Sequence, residues 1–277
     1  MRILLTNDDG IDSVGLHLLA RAMRKHGEVI IVAPATEFSG AGAAIGSLFI
    51  DEPEVMTAKV DGIDEAWAVA GPPALCVMYA RMGAFGGPFD LVVSGINPGA
   101  NVGRAVYHSG TIGAAVTGRI GGIHGIAVSQ AVDGWGAEGQ TWADIVALQK
   151  WESAVRVADM AVGGFLAEPP PEPVVLNINV PNRHFDDIVG WRRTDVSHMT
   201  PRTESVAELT PKPGHKGTFS VAMSWGDPIE HAIGTDSRAI ADGEVSITWL
   251  SRVTGTTPVG IDSTENAITQ YLNRSSS

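Results

Sequence analysis

The opening of this chain is what most constrains its fold. Ile3-Leu4-Leu5 and Val29-Ile30-Ile31-Val32-Ala33 are unbroken apolar runs of strand length. Between them, residues 14–26 carry apolar side chains at 14, 16, 18, 19, 22 and 23, which is helical spacing with a broad buried stripe. A strand apolar on both faces has to be covered on both faces, the condition met inside a parallel sheet. Parallel neighbours need a crossover, and a helix of this length supplies a right-handed one. Gly27 stops the helix and Pro34 closes the second strand. The opening therefore predicts a β-α-β unit.

The alternation continues. Residues 71–82 read as a helix with Pro72 and Pro73 tolerated near its start. Residues 91–94 read as a buried strand followed by a glycine-rich loop from Gly95 to Gly103. A small-residue helix over 111–120, a strand over 126–129 and one long amphipathic helix over 142–166 follow. Residues 1–167 thus read as a doubly wound α/β core with a mainly parallel sheet. The stiff segment Glu168-Pro169-Pro170-Pro171-Glu172-Pro173 opens a C-terminal portion, 168–277. This portion is expected to complete the sheet within one integrated domain, with strands over 174–181 and 245–250. Residues 185–235 read as extended hairpins or loops outside the main sheet. A helix over 263–272 capped by Ser263 is predicted, and 274–277 are expected to be disordered.

Charge and cysteine content narrow the function classes. A net charge of -12 argues against a stable nucleic-acid complex, which demands a basic face. The single cysteine, Cys76, lies in an apolar stretch, so neither a disulfide framework nor a thiolate metal cluster is expected. No apolar stretch reaches the ~20 residues that span a bilayer. Met1 leads straight into a strand rather than a signal peptide, so a cytoplasmic location is expected.

Chemistry is expected where strands end, because open α/β sheets bind ligands at their carboxyl edge. Asn7-Asp8-Asp9-Gly10 follows the first strand, Ser39-Gly40 lies beyond the second, and Ser94-Gly95-Ile96-Asn97 closes a later one. Adjacent carboxylates repel unless a cation sits between them. Carboxylates, a hydroxyl and an amide oxygen form a hard donor set, suited to Mg²⁺, Mn²⁺ or Ca²⁺ better than Zn²⁺. The plainer reading of the first tetrad is an Asx-turn. His108-Ser109-Gly110-Thr111 precedes an apparent helix, where free N–H groups and two hydroxyls form an anion site. The plainer reading there is a helix cap.

Taken in order, these motifs resemble the SurE family, the survival-protein nucleotidases and phosphatases. The resemblance extends through Ala33-Pro34, Gly99, Asn101, Gly103 and Ser109-Gly110-Thr111-Ile112-Gly113-Ala114-Ala115. It continues in Leu176-Asn177-Ile178-Asn179-Val180-Pro181 and Gly234-Thr235-Asp236. It implies a Rossmann-like core and divalent-metal-dependent release of phosphate from nucleoside monophosphates or related esters. It also implies one cation per subunit, Mg²⁺ or Mn²⁺, and a homodimer or homotetramer with residues 185–235 as its exchange or contact element. By position, Asp8, Asp9, Ser39 and Asn97 would hold the metal, with Asp8 and Asp9 catalytic. Ser109, Gly110 and Thr111 would hold the phosphate, with Asn97, Asn101 and His108 as further substrate contacts.

Departures from the family pattern surround the site. Ala35-Thr36-Glu37-Phe38 stands where Asp-Arg-Asn-Arg is usual, and Gly42, Ala43 and Ala44 replace polar residues. His108 stands for a usual Tyr, Ala105 for Asp, Thr117 for Glu and Trp249 for Pro. The donors survive while the surrounding polar shell changes. Two alternatives therefore accompany the phosphatase reading. One is a SurE-like protein that acts on a non-nucleotide substrate or binds without turnover. The other is a metal-dependent deacetylase, which would need histidine ligands near Asp8 and Asp9.

Overall fold

The structure, a computed structural model, describes residues 1–46, 52–133, 141–199, 203, 205–257, 259–260 and 262–272. The first apolar run forms β1 (Arg2–Thr6) and the helical stripe forms α1 (Val14–Met23). The second run forms β2 (Glu28–Pro34), which pairs with β1 in parallel. Then come β3 (Val55–Thr57), β4 (Glu65–Val69), α2 (Pro73–Arg81), β5 (Leu91–Pro98), α3 (Gly110–Ile120) and β6 (His124–Gln130). The chain continues through α4 (Trp142–Leu148), α5 (Trp151–Ala167), β7 (Val175–Val180) and β8 (Gly190–Arg193). It ends with β9 (Ser205–Pro211), β10 (Phe219–Trp225), α6 (Asp236–Asp242), β11 (Glu244–Leu250) and α7 (Asp262–Leu272).

One sheet of nine strands organises these elements in the order β3-β4-β2-β1-β5-β6-β7-β11-β8. The stretch from β4 to β7 is parallel, while β3 and β11 pair antiparallel at its flanks. Alternate side chains of the central strands feed two cores. Ile3, Leu5 and Ile31 pack with Leu16 and Leu19 of α1 and Val162 of α5 on one face. Leu4, Ile30 and Val92 pack with Leu75 of α2 and Ala114 of α3 on the other. Each such fully buried aliphatic side chain contributes about 1.5–3 kcal/mol relative to exposure. The fold is α/β, doubly wound and mainly parallel.

Three differences from the sequence reading have physical causes. The predicted single helix over 142–166 is two helices, because other side chains capture the chain at the junction. Asn182 Oδ1 accepts from the Lys150 N–H at 2.9 Å, and Gln130 Nε2 donates to the Lys150 carbonyl at 2.9 Å. Next, β5 runs on to Pro98, so Asn97 belongs to a strand rather than to a loop. Finally, β8 joins the main sheet beside β11, whereas β9 and β10 form a separate hairpin. The sequence reading did not predict β3, β4 or α6. α1 stops at Met23, short of His26, and α7 begins at Asp262, so Ser263 lies within it rather than at its cap. Residues 274–277, expected to be disordered, lie outside the described residues. Among the described residues no helix is long and apolar enough to cross a membrane.

After β1 the chain moves outward to β2 and later returns to β5 on the opposite side of β1. The carboxyl ends of β1 and β5 thus flank a topological switch point, where crossovers leave a crevice.

Candidate active site

The loop after β1 is built to hold two carboxylates at that crevice. Asn7, wholly buried, donates from Nδ2 to the Gly10 carbonyl at 3.1 Å and to Ser13 Oγ at 2.7 Å. Ser13 caps α1 by accepting from the Leu16 N–H, so one network closes the loop and starts the helix. The Phe38 N–H donates to the Asp8 carbonyl at 2.7 Å, which brings the segment after β2 alongside. Ser39 follows directly.

Asp8 is only 3% exposed and packs against the start of α3. The Thr111 hydroxyl donates to Asp8 Oδ1 at 2.5 Å. A Cβ on Gly110 would sit 2.8 Å from Asp8 Cβ and 2.9 Å from Oδ2, so only glycine permits this approach. Burial pushes the Asp8 carboxyl above its ordinary range, while the Thr111 hydroxyl and the Thr111 and Gly110 backbones work against that shift. Asp9 is pushed up to about 8, first by burial and then by the charges of Asp8 and Glu37. Both of its carboxylate oxygens, and Asn7 Oδ1, are buried without a hydrogen-bond partner. A buried carboxylate in that state is expensive, and a cation is the simplest relief.

β5 delivers the third donor. Gly95, at φ +134°, lets the strand bulge against β6, and a Cβ there would meet the Val128 carbonyl at 2.3 Å. Two residues on, Asn97 lines the cleft while its Nδ2 donates to the Gly99 carbonyl at 2.6 Å. Asn101 is clamped behind this turn. Asn177 and Asn179 both donate to its carbonyl, Asn179 Oδ1 accepts from its N–H at 2.7 Å, and its own Nδ2 reaches Ser129 Oγ at 2.9 Å. Asp236, fully buried at the start of α6, accepts from the N–H groups of Gly103 and Ser197.

These elements enclose an open cleft of about 760 Å³. Asp8, Ser39, Asn97, Asn101, His108 and Ser109 line it together. Asp9 opens instead on an adjoining cavity of about 360 Å³ that Asp12 and Trp151 share. Gly110 and Thr111 stand behind Asp8 rather than on the cleft wall. Ser109 also caps α3, accepting from the Ile112 N–H at 3.1 Å. The donor set fits a hard divalent cation. Among the described residues no three His, Cys, Asp or Glu side chains gather as a metal group. A cation held here would have to draw on Ser39 and Asn97 as well.

Glu37, Arg104, Met199 and His231 also line the cleft, and the sequence reading assigned none of them a role. Met199 and His231 are distant in sequence and carry no local signal. Asp236 had one: it follows Thr235, a helix N-cap whose side chain accepts from the Arg238 N–H.

Comparison with known proteins agrees with this architecture. The family model described as "Survival protein SurE" matches residues 3–203. The 5'-nucleotidase SurE of Xanthomonas axonopodis pv. citri is 36% identical over 249 residues, covering 90% of this chain and 88% of that protein. The 5'-nucleotidase SurE of Xanthomonas campestris pv. campestris is 35% identical over the same coverage. The crystal structure of the SurE protein from Aquifex aeolicus superposes with a TM-score of 0.74 at 30% identity, over 99% of this chain and 100% of that one. With the family model matched over residues 3–203 and relatives of this identity and coverage, the chain belongs to the SurE family.

Proposed function

We propose that this chain is a divalent-cation-dependent phosphomonoesterase acting on nucleoside monophosphates or a closely related small ester. One observation carries the reading. Asp8, buried and held by Thr111 at the N-terminus of α3, stands next to Asp9, whose buried carboxylate oxygens have no partner, at the switch point of the sheet. The names of the two Xanthomonas relatives support a nucleotidase.

Asp8, Asp9, Ser39 and Asn97 would hold one Mg²⁺ or Mn²⁺ per subunit. A cation bound there would supply polarisation of the phosphoryl group and a more acidic water. The chain's own residues do the rest. Thr111 fixes Asp8 in place. Ser109, at the N-terminus of α3, and the exposed His108 face the ester, and donors already in position stabilise the charge that develops on the phosphoryl oxygens. Asp9, whose two carboxylate oxygens have no protein partner, would take the proton of the attacking water.

Phosphate release from nucleoside monophosphates, sugar phosphates and p-nitrophenyl phosphate tests the reading, with EDTA, Mg²⁺ or Mn²⁺ present. Release is expected only with a cation. Asp8→Asn is expected to lower kcat by about a thousandfold or more while the circular dichroism spectrum holds, because the amide oxygen still accepts from Thr111. Near-normal turnover in that variant, or turnover indifferent to EDTA, would overturn it. A second reading, ligand binding without turnover, draws support from the changed residues beside Ser39. It predicts silence across the panel together with measurable nucleotide binding. We further infer that a second copy of the chain covers the β9–β10 hairpin, giving a dimer or tetramer.

A further inference from the structure

The phosphatase reading leaves Glu37 without a task, yet it lines the same cleft as Asp8 and Ser39. Its Oε1 accepts from Ser39 Oγ at 2.7 Å. Among the described residues no Lys, Arg or His side chain forms an ion pair with it. A hydroxyl has one proton and two lone pairs. With that proton directed at Glu37, Ser39 keeps both lone pairs for a cation.

We propose that Glu37 is a positioning residue that tightens the cation site and loosens its hold on phosphate. It does so by orienting the Ser39 hydroxyl as an acceptor and by adding a third negative charge beside Asp8 and Asp9. The inference rests on the cation-dependent reading above. Two carboxylates balance a divalent cation, and a third leaves the loaded site with a net negative charge. The attraction for the cation rises, and a dianionic phosphate is repelled by the same field.

Glu37→Gln separates charge from shape, since the amide oxygen can still accept from Ser39. Calorimetric titration of Mn²⁺ into the substrate-free protein, compared with Asp8→Asn, gives cation affinity directly. Inhibition by inorganic phosphate at saturating Mn²⁺ gives anion affinity. Glu37→Gln is expected to weaken Mn²⁺ about three- to tenfold and to tighten phosphate by a similar factor. Glu37→Ala, which also frees the Ser39 proton, is expected to weaken Mn²⁺ further. The opposite signs are the signature, because local damage would weaken both. Unchanged Mn²⁺ affinity in Glu37→Gln, or weakening of both ligands, overturns the role of Glu37 alone if Asp8→Asn abolishes Mn²⁺ binding. A parent protein that takes up no Mn²⁺, or an Asp8→Asn variant that binds it normally, overturns the cation reading and this inference with it.

Discussion

Thr111 is the residue on which the geometry of Asp8 depends. Its side chain is fully buried and its hydroxyl donates to the carboxylate. A hydrogen bond to a charged group contributes about 1.5–3 kcal/mol. Thr111→Val preserves volume and removes the donor, so kcat/KM is expected to fall about 10- to 100-fold, whereas Thr111→Ser should keep most of the activity. Wild-type kinetics in the valine variant would show that Asp8 needs no such support. The resemblance assigned Thr111 to phosphate, and the two roles share one sequence signature. A hydroxyl at the first turn of a helix can serve either an anion or a carboxylate packed against that turn. Only the close approach at Gly110 tells them apart, and that is a property of packing. By contrast, that Asp8, Ser39 and Asn97 meet on one cleft was legible in the sequence, because all three were read at or beyond strand ends.

At the scale of elements, β7 and α6 act as the brace of the cleft. Asn177 and Asn179 lie in a strand buried along its whole length and grip Asn101, while Asp236 ties two loops through Gly103 and Ser197. Asp236→Ala would leave two backbone N–H groups without their acceptor in a buried setting. The expected cost is about 2–4 kcal/mol in urea unfolding, with Asp236→Asn intermediate. A change under about 0.5 kcal/mol would show that the loop holds itself. The alternation of Asn and aliphatic residues in β7 reads in sequence as a strand with one wet face. In the fold both faces are covered, and the polar side reaches a loop that only tertiary contact brings near. The break between α4 and α5 was hidden for a related reason. No proline or glycine marks Gln149-Lys150, and the capturing groups, Gln130 at the end of β6 and Asn182 in the loop after β7, are distant in sequence.

For the whole molecule, the hairpin of β9 and β10 is the part the single chain leaves unfinished. In its register Leu209 faces Val221, Ala207 faces Met223 and Pro211 faces Phe219. Because side chains alternate along a strand, these six share one face, while Glu208, Thr210, Ser220 and Ser224 share the other. The apolar face is open: Leu209 is 68% exposed and Met223 65%. A two-stranded ribbon is marginal in water by itself, and a contiguous apolar face of this kind marks a contact surface. A second copy would satisfy it symmetrically, each hairpin presenting the same patch to its partner. The hairpin also lies in sequence between Met199 and His231, both on the cleft wall, so covering it would steady the two segments that close the site. Leu209→Lys with Val221→Glu places opposite charges directly across the ribbon, which preserves its pairing while setting two charges in the middle of its apolar face. Light scattering at micromolar concentration should find the parent as a dimer or tetramer and the double variant as a 29.0 kDa monomer. The variant should keep its Mn²⁺ affinity, whose donors lie elsewhere, and lose substrate affinity through a higher KM. A parent protein that stays monomeric at tens of micromolar would leave the apolar face needing another explanation.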